Sequence, residues 1–472
     1  MTEILLWAGY FAVFAFLVHK GRSKDAVLSG SVGFGVQAFA YVATYISAVA
    51  LVGFGGLAHA YGLQMLLVAA GNVWFGTWAV YRFLAWPTRK WQERLGARTP
   101  AQLLGLGHGS PSLTRAMAFV FALFLGVYGS AVIKGAALLL AEILPVPVWA
   151  LIWLVAIIVG LTVFIGGLRG VLYTEAMQGV VMLVGMLMLV GAKVGGPWEG
   201  MQALAALPPS DLANNGFVSL SGGERGLFIL SLVVVTSIAV WAQPQMMQRH
   251  FAIADPRQLK KTTPLAMFIL TVLVGGAYFA AALSRLILPE VASPDQVMPK
   301  LVQMLLPEFA LHIFVLAIVS ASLSTATGIY HIAVSALSED LRGRPSNRLS
   351  WFAGIAICVL VSGGCAQIKG QLVALLCTTS WSIVGAMALV PYVALVRFGR
   401  RNAGAAWASA ACGFFSCLAW YLIAYGPTSI WGPQLGSVAA GIPPFFIGFL
   451  FSWIGWIAVS ALSESPALEQ EA

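Results

Sequence analysis

Five polar side chains recur at helical spacing within one apolar stretch of the chain, and their chemistry suits a small cation. They are Ser320, Ser324, Thr327, His331 and Ser335. Intervals of four, three, four and four residues place them on one face of a helix. Ser324 and Thr325 are adjacent hydroxyls one turn beyond Ala321, and small hard cations prefer oxygen ligands. Small hydroxylated residues also serve close helix packing in membranes, so this spacing alone leaves ion binding and packing both open.

A second polar cluster, Thr44, Tyr45 and Ser47, precedes a glycine-rich run that ends at Gly56. Glycines permit an interruption in a membrane helix, and an interruption frees carbonyl groups and exposes half-helix ends. Such ends carry partial charges that attract ions and substrates. The pattern therefore indicates either a broken helix that forms a site or an ordinary packed helix.

Two charged residues fall inside or beside apolar runs. Lys134 lies within one run, near its outer end. A charge at the centre of a span costs roughly 2.5–3.5 kcal/mol on insertion scales. Lys134 therefore either extends its ammonium group to the membrane surface or pairs with an anionic group of a substrate. Glu175 begins another apolar run close to the predicted cytoplasmic surface, where a charge costs less.

The elements that must position these residues are transmembrane helices. Of the 472 residues, 60% are hydrophobic and only 9% are charged, whereas soluble domains contain about 25% charged residues. The apolar runs are continuous and do not alternate with a period of two, which favours helices over a β-barrel. Because one span needs about 20 residues, we predict an all-α polytopic membrane protein with about thirteen spans. The predicted spans are 3–19, 30–57, 62–86, 113–141, 147–167, 174–195, 227–247, 262–287, 310–337, 349–368, 372–396, 404–425 and 435–461.

Basic residues are distributed unevenly between alternate loops. If the loop that starts at His19 is cytoplasmic, the cytoplasmic loops contain 20 of the 26 Lys and Arg residues. The positive-inside rule then predicts a cell-membrane protein of the bacterial inner-membrane type, with its N-terminus outside and a short cytoplasmic tail at 463–472. The longest loops on the other side, 196–226 and 288–309, each have room for a short helix.

Several classes of function are disfavoured by what the sequence lacks. The chain has no G-x-x-x-x-G-K-[ST] loop and its loops are too short for a nucleotide-binding domain, which argues against ATP-driven transport. Basic loops beside an anionic leaflet account for the net charge of +9, so nucleic-acid binding is not expected. The five cysteines do not have the spacing of a metal site. We predict that the protein is not an enzyme and has no catalytic residues.

Five stretches of the chain resemble motifs of the sodium:solute symporter family, in the family's order. In Gly166–Gln178 two glycines, a short run, an aromatic-Thr-acid triplet and a Gln match the family signature. The other four stretches are 45–53, 242–251, 320–325 and 335–341, and the segment that ends at Leu28-Ser-Gly30 also resembles the sodium/proline branch. The resemblance extends from about residue 20 to about residue 400 and includes sodium/proline and sodium/sugar symporters.

This resemblance implies a five-plus-five inverted repeat within one transmembrane domain, residues 1–462. The first repeat would be 30–195 and the second 227–396, with an extra helix at 3–19 and two C-terminal helices within 404–461. It also implies secondary active transport, in which Na⁺ is the coupling ion for symport of a small organic solute by alternating access. The lipid bilayer and the solute are then the expected partners, and the oligomeric state stays open.

Position by position, the resemblance implies a principal sodium site and a second one. The first would use backbone oxygens of Ala43, Ile46 and Ala321 with the hydroxyls of Ser324 and Thr325. The second would use Glu175 and Ser320 together with Ser324. Two departures from the family matter here. Tyr45 stands where sodium/proline members have an acidic residue, which argues against proline as the solute. Glu175 stands where the family has Asp, one methylene shorter.

Substrate contacts are expected near the middle of the bundle. The candidates are Tyr45, Ser47, Asn72, Lys134, Trp241, Gln243, Ser380 and Trp381, with Trp74 near Asn72. Lys134 favours a solute that bears a carboxylate, such as an organic acid, an amino acid or an acidic sugar. Three alternatives stay open: a solute-sensing receptor module with a separate signalling partner, a proton-coupled symporter and a channel. The short tail without a kinase argues against the first, and the sodium ligands argue against the second.

Overall fold

The computed structural model describes residues 2–22, 32–141, 144–191, 197–221, 223, 226–288, 291, 293–368, 373–426, 429 and 441–462. Within these ranges the chain is helical, and its only β pairings are two isolated bridges. The predicted all-α class is therefore confirmed. Several predicted features fall partly or wholly outside the described residues, namely the first basic loop and the start of the second span (23–31), the end of the span at 174–195 (192–195), the start of the span at 435–461 (435–440) and the tail at 463–472.

Twenty α-helices form the described chain. They are α1 (Thr2–Lys20), α2 (Phe34–Tyr45), α3 (Phe54–Tyr61), α4 (Leu66–Val73), α5 (Val80–Phe83), α6 (Ala85–Leu95), α7 (Pro100–Gly107), α8 (Pro111–Leu140), α9 (Val148–Gly191), α10 (Pro197–Ala205), α11 (Gly226–Ser237), α12 (Pro244–His250), α13 (Leu259–Leu270), α14 (Gly276–Leu283), α15 (Val297–Leu305), α16 (Glu308–Ser335), α17 (Arg348–Ala366), α18 (Val373–Phe398), α19 (Ala403–Ile423) and α20 (Pro444–Leu462). Short π and 3₁₀ segments join several of them. The helices α10 and α15 confirm the short helices predicted in the two long loops.

The number of membrane crossings depends on how two long helical segments are divided. The described residues contain ten helices long and apolar enough to cross a membrane, or eleven if the bent pair α11 and α12 counts as one span. Two of the ten, Val49–Phe83 and α9, contain 35 and 44 residues, well beyond the roughly 20 that one crossing needs. Each contains a glycine with positive φ, Gly62 at 74° and Gly167 at 53°. Division at these glycines brings the count to the predicted figure of about thirteen.

Two spans are broken, one near its midpoint and the other closer to its end. The helix α2 ends at Tyr45, and Ile46 is extended with φ −102° and ψ 121° before a π segment at Val49–Gly53. Gln243 is likewise extended, with φ −69° and ψ 121°, and Pro244 begins α12 at a bend of 53°. Proline is accommodated there because the first residue of a helix has no helical partner for its N–H. For the span that contains Tyr45, the sequence left a broken helix and an ordinary packed helix both open, and the structure has the broken helix.

The loops that carry most of the basic residues lie on one face of the molecule. Arg89 donates to the carbonyl of Phe251, joining two of these loops. The guanidinium of Arg98 pairs with Glu339 at 2.7 Å, and that of Arg401 donates to the carbonyl of Gly107 at 2.6 Å. Three further contacts join the other basic loops. They lie between Gly21 and Gly170, between Val32 and Ala252, and between Val32 and Ile253. The contacts therefore bring the basic loops together on one face, and the side of the membrane to which this face belongs stays a prediction.

Candidate functional site

A cluster of five oxygen atoms forms where the break in α2 faces α16. Because Ile46 leaves the helical conformation, the carbonyls of Ala43 and Ile46 are available to side chains of α16. The hydroxyl of Ser324 donates to the carbonyl of Ala43 at 2.7 Å, and that of Thr325 lies 3.2 Å from the same oxygen and 3.3 Å from the carbonyl of Ile46. Ser324 also lies 3.0 Å from the carbonyl of Ala321. We call these three carbonyls and two hydroxyls the five-oxygen cluster.

The chemistry of the five-oxygen cluster suits a small monovalent cation. All five residues are buried, and every candidate ligand atom is a neutral oxygen. The described residues contain no group of three or more His, Cys, Asp or Glu side chains suited to a metal. A cation at the centre of the cluster would replace the hydrogen bonds that now join α2 to α16. Ion binding and the packing of these two helices would therefore be coupled.

The residues of the predicted second cation site have separate partners. Glu175 forms an ion pair with Arg249, and both side chains are completely buried. Ser320 donates to the hydroxyl of Tyr10 at 2.9 Å, while Ser324 belongs to the five-oxygen cluster. A second sodium site therefore stays a prediction. In this structure the positive charge next to the Glu175 carboxylate is the guanidinium of Arg249.

Arg249 corrects one assumption about the basic loops. Arg249 is one of the 20 basic residues assigned to the cytoplasmic loops, but α12 continues to His250 and places the guanidinium inside the bundle. Its Nε donates to the hydroxyl of Thr44 at 2.9 Å, and its carbonyl accepts from Gln37 at 2.9 Å. The carbonyl of Thr44 in turn lies 3.3 Å from the Thr325 hydroxyl. Thr44 therefore links the ion pair to the five-oxygen cluster.

A small central cavity of about 20 Å³ lies beside the break in α2. Its lining residues are Tyr45, Ile46, Ser47, Val49, Ala50, Phe54, Asn72, Tyr128, Thr236, Tyr278, Cys377 and Trp381. Four of the predicted substrate contacts, Tyr45, Ser47, Asn72 and Trp381, are among them. The volume corresponds to about one water molecule, so this conformation leaves no room for an organic solute in the cavity.

Asn72 joins three helical segments at the edge of this cavity. Its side-chain oxygen lies 2.8 Å from the hydroxyl of Thr236 and 3.2 Å from those of Tyr45 and Ser237. The Tyr45 hydroxyl also donates to the carbonyl of Thr236 at 2.5 Å. Thr236 and Ser237 were not among the predicted contacts. Their position just before the break at Gln243 was the available signal, because hydroxyls beside a helix break are placed to contact a ligand.

The aromatic wall of the cavity centres on Trp381. Its ring lies 6.2 Å from that of Tyr45 in a stacked arrangement and 5.6 Å from that of Tyr128, edge to face. The buried indole N–H of Trp381 and the side-chain oxygen of Gln243 have no hydrogen-bond partner among the described residues. Gln243 donates to the carbonyl of Trp381 at 3.1 Å. These two groups keep unused hydrogen-bonding capacity close to the cavity.

The remaining predicted contacts lie away from the cavity lining. Trp241 donates to the carbonyl of Phe75 at 2.9 Å, and Ser380 donates to that of Phe124 at 2.6 Å. The prediction that Trp74 approaches the solute is not supported, because 56% of this side chain is exposed and its ring contacts Trp78 on the outer surface. These residues stabilise the walls of the bundle.

Lys134 lies toward the face opposite the basic loops. Its ammonium group donates to the carbonyl of Ile368 at 3.1 Å. The nearby carboxylate of Asp295 accepts from the backbone N–H of Val373 at 3.3 Å. Burial raises the pKa of Asp295, while that N–H and the positive charge of Lys134 lower it. Lys134 is therefore one part of an outer cluster rather than of the central cavity.

Comparisons with known proteins agree with this architecture. A family model described as the sodium:solute symporter family matches residues 27–413. The sodium/pantothenate symporter of Haemophilus influenzae is 27% identical over 346 residues, covering 69% of each chain. The high-affinity proline transporter PutP of Bacillus subtilis is 24% identical over 98% of this chain and 97% of its own. The solved structure of a Na⁺-coupled sialic acid symporter superposes with a TM-score of 0.77, at 14% identity over 99% of both chains. That similarity establishes the fold.

Proposed function

The chain belongs to the sodium:solute symporter family, and we propose that it couples the uptake of a small organic solute to sodium entry. The family and the relatives are transporters rather than enzymes. Sodium coupling is the shared property of the family. The observation that carries the proposal for this chain is the convergence of the Ser324 and Thr325 hydroxyls on the carbonyls of Ala43 and Ile46, at a helix break.

Sodium is the proposed ion of the five-oxygen cluster. Ion binding would hold the broken α2 against α16, and a ligand shifts a conformational equilibrium only as far as its affinities for the two states differ. Because Tyr45 and Ile46 at the helix break also line the central cavity, the break would determine the shape of the solute site. Solute and ion then stabilise one conformation together, which is the coupling that symport requires. The membrane potential adds about 2.3 kcal/mol per charge for each 100 mV.

We propose the five-plus-five arrangement for the helices that carry these sites. Two broken spans, α2–α3 and α11–α12, stand at the starts of the two proposed repeats, 30–195 and 227–396. Interrupted segments at corresponding positions of two halves are typical of inverted-repeat transporters, in which the solute and the ion bind at the breaks. The common basic face supports a cytoplasmic C-terminus and an external N-terminus.

The proposed solute bears a carboxylate. Two of the relatives are named for carboxylates, pantothenate and proline. The cavity lining contains no charged side chain, so the bound sodium would supply the positive charge and the unpartnered indole N–H of Trp381 a hydrogen-bond donor. Lys134 lies in the outer cluster, so its positive charge would attract the solute's carboxylate as the solute enters, and would not contact it in the central cavity.

Transport by the full-length protein in proteoliposomes tests this function. We expect uptake of at least one member of a panel of radiolabelled organic acids and amino acids only when an inward sodium gradient is imposed. A potassium gradient of the same size should give the background rate. Binding without vectorial uptake would favour a sensing role, and uptake driven by a proton gradient alone would contradict sodium coupling. Lys134→Ala should lower the rate for carboxylates and leave neutral solutes unaffected.

A further inference from the structure

A basic groove opens on the face that carries the basic loops, and neither the central cavity nor the five-oxygen cluster includes it. Its volume is about 630 Å³. It lies where α5 and α6 meet the start of α13 and the end of α18. The lining residues are Trp78, Tyr81, Arg82, Phe83, Trp86, Pro87, Pro256, Leu259, Lys260, Thr263 and Arg397. We call these residues the basic groove.

Three cations from three separate segments converge on the basic groove. They are Arg82, Lys260 and Arg397, all solvent-exposed, and no lining residue is acidic. None of the three forms an ion pair with another described residue, whereas Arg89 pairs with Glu93 and Arg98 pairs with Glu339. Neighbouring arginines therefore have carboxylate partners, whereas the three cations of the groove have none among the described residues. An anion is the complementary ligand.

The other lining residues favour an anion attached to a hydrocarbon chain. Trp78 is 40% exposed and Phe83 is 38% exposed, and their rings lie 5.8 Å apart, edge to face. The guanidinium of Arg82 lies 5.5 Å from the centre of the Phe83 ring. Beyond the groove, Trp74 contacts Trp78 and continues the exposed aromatic surface along the span. Amphipathic aromatic rings are enriched at the level of the lipid headgroups.

We propose that the basic groove binds an anionic phospholipid, with the phosphate of its headgroup between Arg82, Lys260 and Arg397. The acyl chains then run along the exposed surface of Trp78 and Trp74 toward the middle of the bilayer. Basic pockets between transmembrane helices on the cytoplasmic side recognise anionic headgroups in this way. A soluble phosphate would use the three cations but gain nothing from the aromatic surface.

Native mass spectrometry of the full-length protein in detergent tests this proposal with phosphatidylglycerol as the probe. The variant Arg82→Gln/Lys260→Gln/Arg397→Gln removes the three groove cations. The matched control Lys90→Gln/Arg94→Gln/Arg400→Gln removes three exposed cations from the same face outside the groove. All six side chains are exposed, so both variants are expected to fold, and thermal unfolding of each verifies this.

We expect the groove variant to bind phosphatidylglycerol on the order of a hundredfold more weakly, since each cation near an anionic surface contributes about fivefold. The control variant should stay within threefold of the unmodified protein, and phosphatidylcholine should bind poorly to all three. Equal losses in the two variants would overturn the proposal. Displacement of the lipid by millimolar inorganic phosphate would overturn it too, because the site would then belong to a soluble anion.

Discussion

The hydroxyl oxygen of Ser324 lies 2.7 Å from the carbonyl oxygen of Ala43, across the boundary between α16 and the broken helix α2. This hydrogen bond exists because Ile46 is extended and the turn that would have used the Ala43 carbonyl is missing. The same contact that closes the helix break thus brings together the oxygens that suit a cation. Packing and ion binding, the two interpretations of the serine-rich face, concern the same atoms.

The first prediction removes the two hydroxyls of the five-oxygen cluster. The double variant Ser324→Ala/Thr325→Ala should lose most sodium-stimulated uptake, with a rise of about thirtyfold or more in the sodium concentration for half-maximal transport. Two of five oxygen ligands are deleted, and each hydrogen bond or ligand of this kind is worth about 1 kcal/mol or more. Uptake by proteoliposomes at graded external sodium measures the effect.

A neighbouring serine provides the control for this variant. Ser322 is buried on the same helix, and its hydroxyl has no hydrogen-bond partner among the described residues. Ser322→Ala should therefore leave the sodium dependence within twofold of the unmodified protein. If the double variant keeps its sodium dependence, the assignment of the ion to this cluster is wrong.

Much of this arrangement was predictable from the sequence because membrane helices obey strong rules. The composition and continuous apolar runs indicated the all-α class, and the spacing of hydroxyls placed Ser324 on the polar face of its helix, with Thr325 next to it. The position of Arg249 was not predictable in the same way. A basic residue near the end of an apolar run normally counts as a loop cation, and only tertiary packing reveals that Glu175 lies opposite it.

The lining of the cavity shows a second limit of sequence reasoning. Asn72 was identified as a polar residue within a span, but its partners Thr236 and Ser237 lie more than 160 residues away in the chain. Polar residues on different helices meet according to helix rotation and tilt, which the packing of neighbouring helices sets. Asn72 does line the central cavity, but Lys134 does not. Its charge indicated a substrate contact, whereas the fold places it in the outer cluster.

The second prediction concerns Asn72, which accepts hydrogen bonds from up to three hydroxyls. Asn72→Leu keeps the approximate volume but removes the acceptor shared by Tyr45, Thr236 and Ser237. These hydroxyls can then reorient, and the shape of the central cavity changes. We expect the solute concentration for half-maximal uptake to rise about tenfold, equivalent to about 1.4 kcal/mol. The sodium dependence should change by less than threefold, since Asn72 does not contact the five-oxygen cluster.

The third prediction is a pH dependence of stability that originates at His108, in the segment after α7. His108 is buried, its Nε2 lies 3.0 Å from the carbonyl of Pro391, and its Nδ1 accepts from the backbone N–H of Asn402 at 3.3 Å. Burial lowers the pKa of His108 to about 4, which the Pro391 carbonyl opposes. The neutral ring satisfies both contacts, whereas a second proton on Nδ1 would remove the acceptor.

Because the folded pKa lies below the unfolded one, the stabilisation is fully present above about pH 6.5 and is lost as the pH falls toward 4. Between pH 7 and pH 5 we expect a loss of about 2 kcal/mol from this group. His108→Gln offers a donor and an acceptor without titrating. Thermal unfolding in detergent at both pH values should show a smaller difference for His108→Gln. An unchanged difference would assign the pH dependence to other groups.

The fourth prediction compares two glycines on helices of the bundle. A Cβ on Gly328 would lie 2.6 Å from the guanidinium of Arg249 and 3.3 Å from the carboxylate of Glu175, whereas one on Gly364 would meet nothing within 4 Å. Gly328→Ala should therefore lower the unfolding temperature, because the buried ion pair must shift. Gly364→Ala should be neutral or slightly stabilising, since alanine is the better helix former. Equal unfolding temperatures would show that the pair tolerates displacement.

The fifth prediction separates a structural ion pair from a second sodium site at Glu175. Arg249→Met leaves the Glu175 carboxylate buried without its cation, and the loss of one partner of a buried pair costs about 3–5 kcal/mol. The double variant Arg249→Met/Glu175→Leu removes both charges and should recover most of that stability, as buried pairs are often replaceable by apolar residues. If Glu175 is only a partner of Arg249, the double variant keeps the sodium dependence of any remaining uptake. A double variant that is as stable as the unmodified protein yet binds one sodium fewer would instead assign Glu175 to an ion.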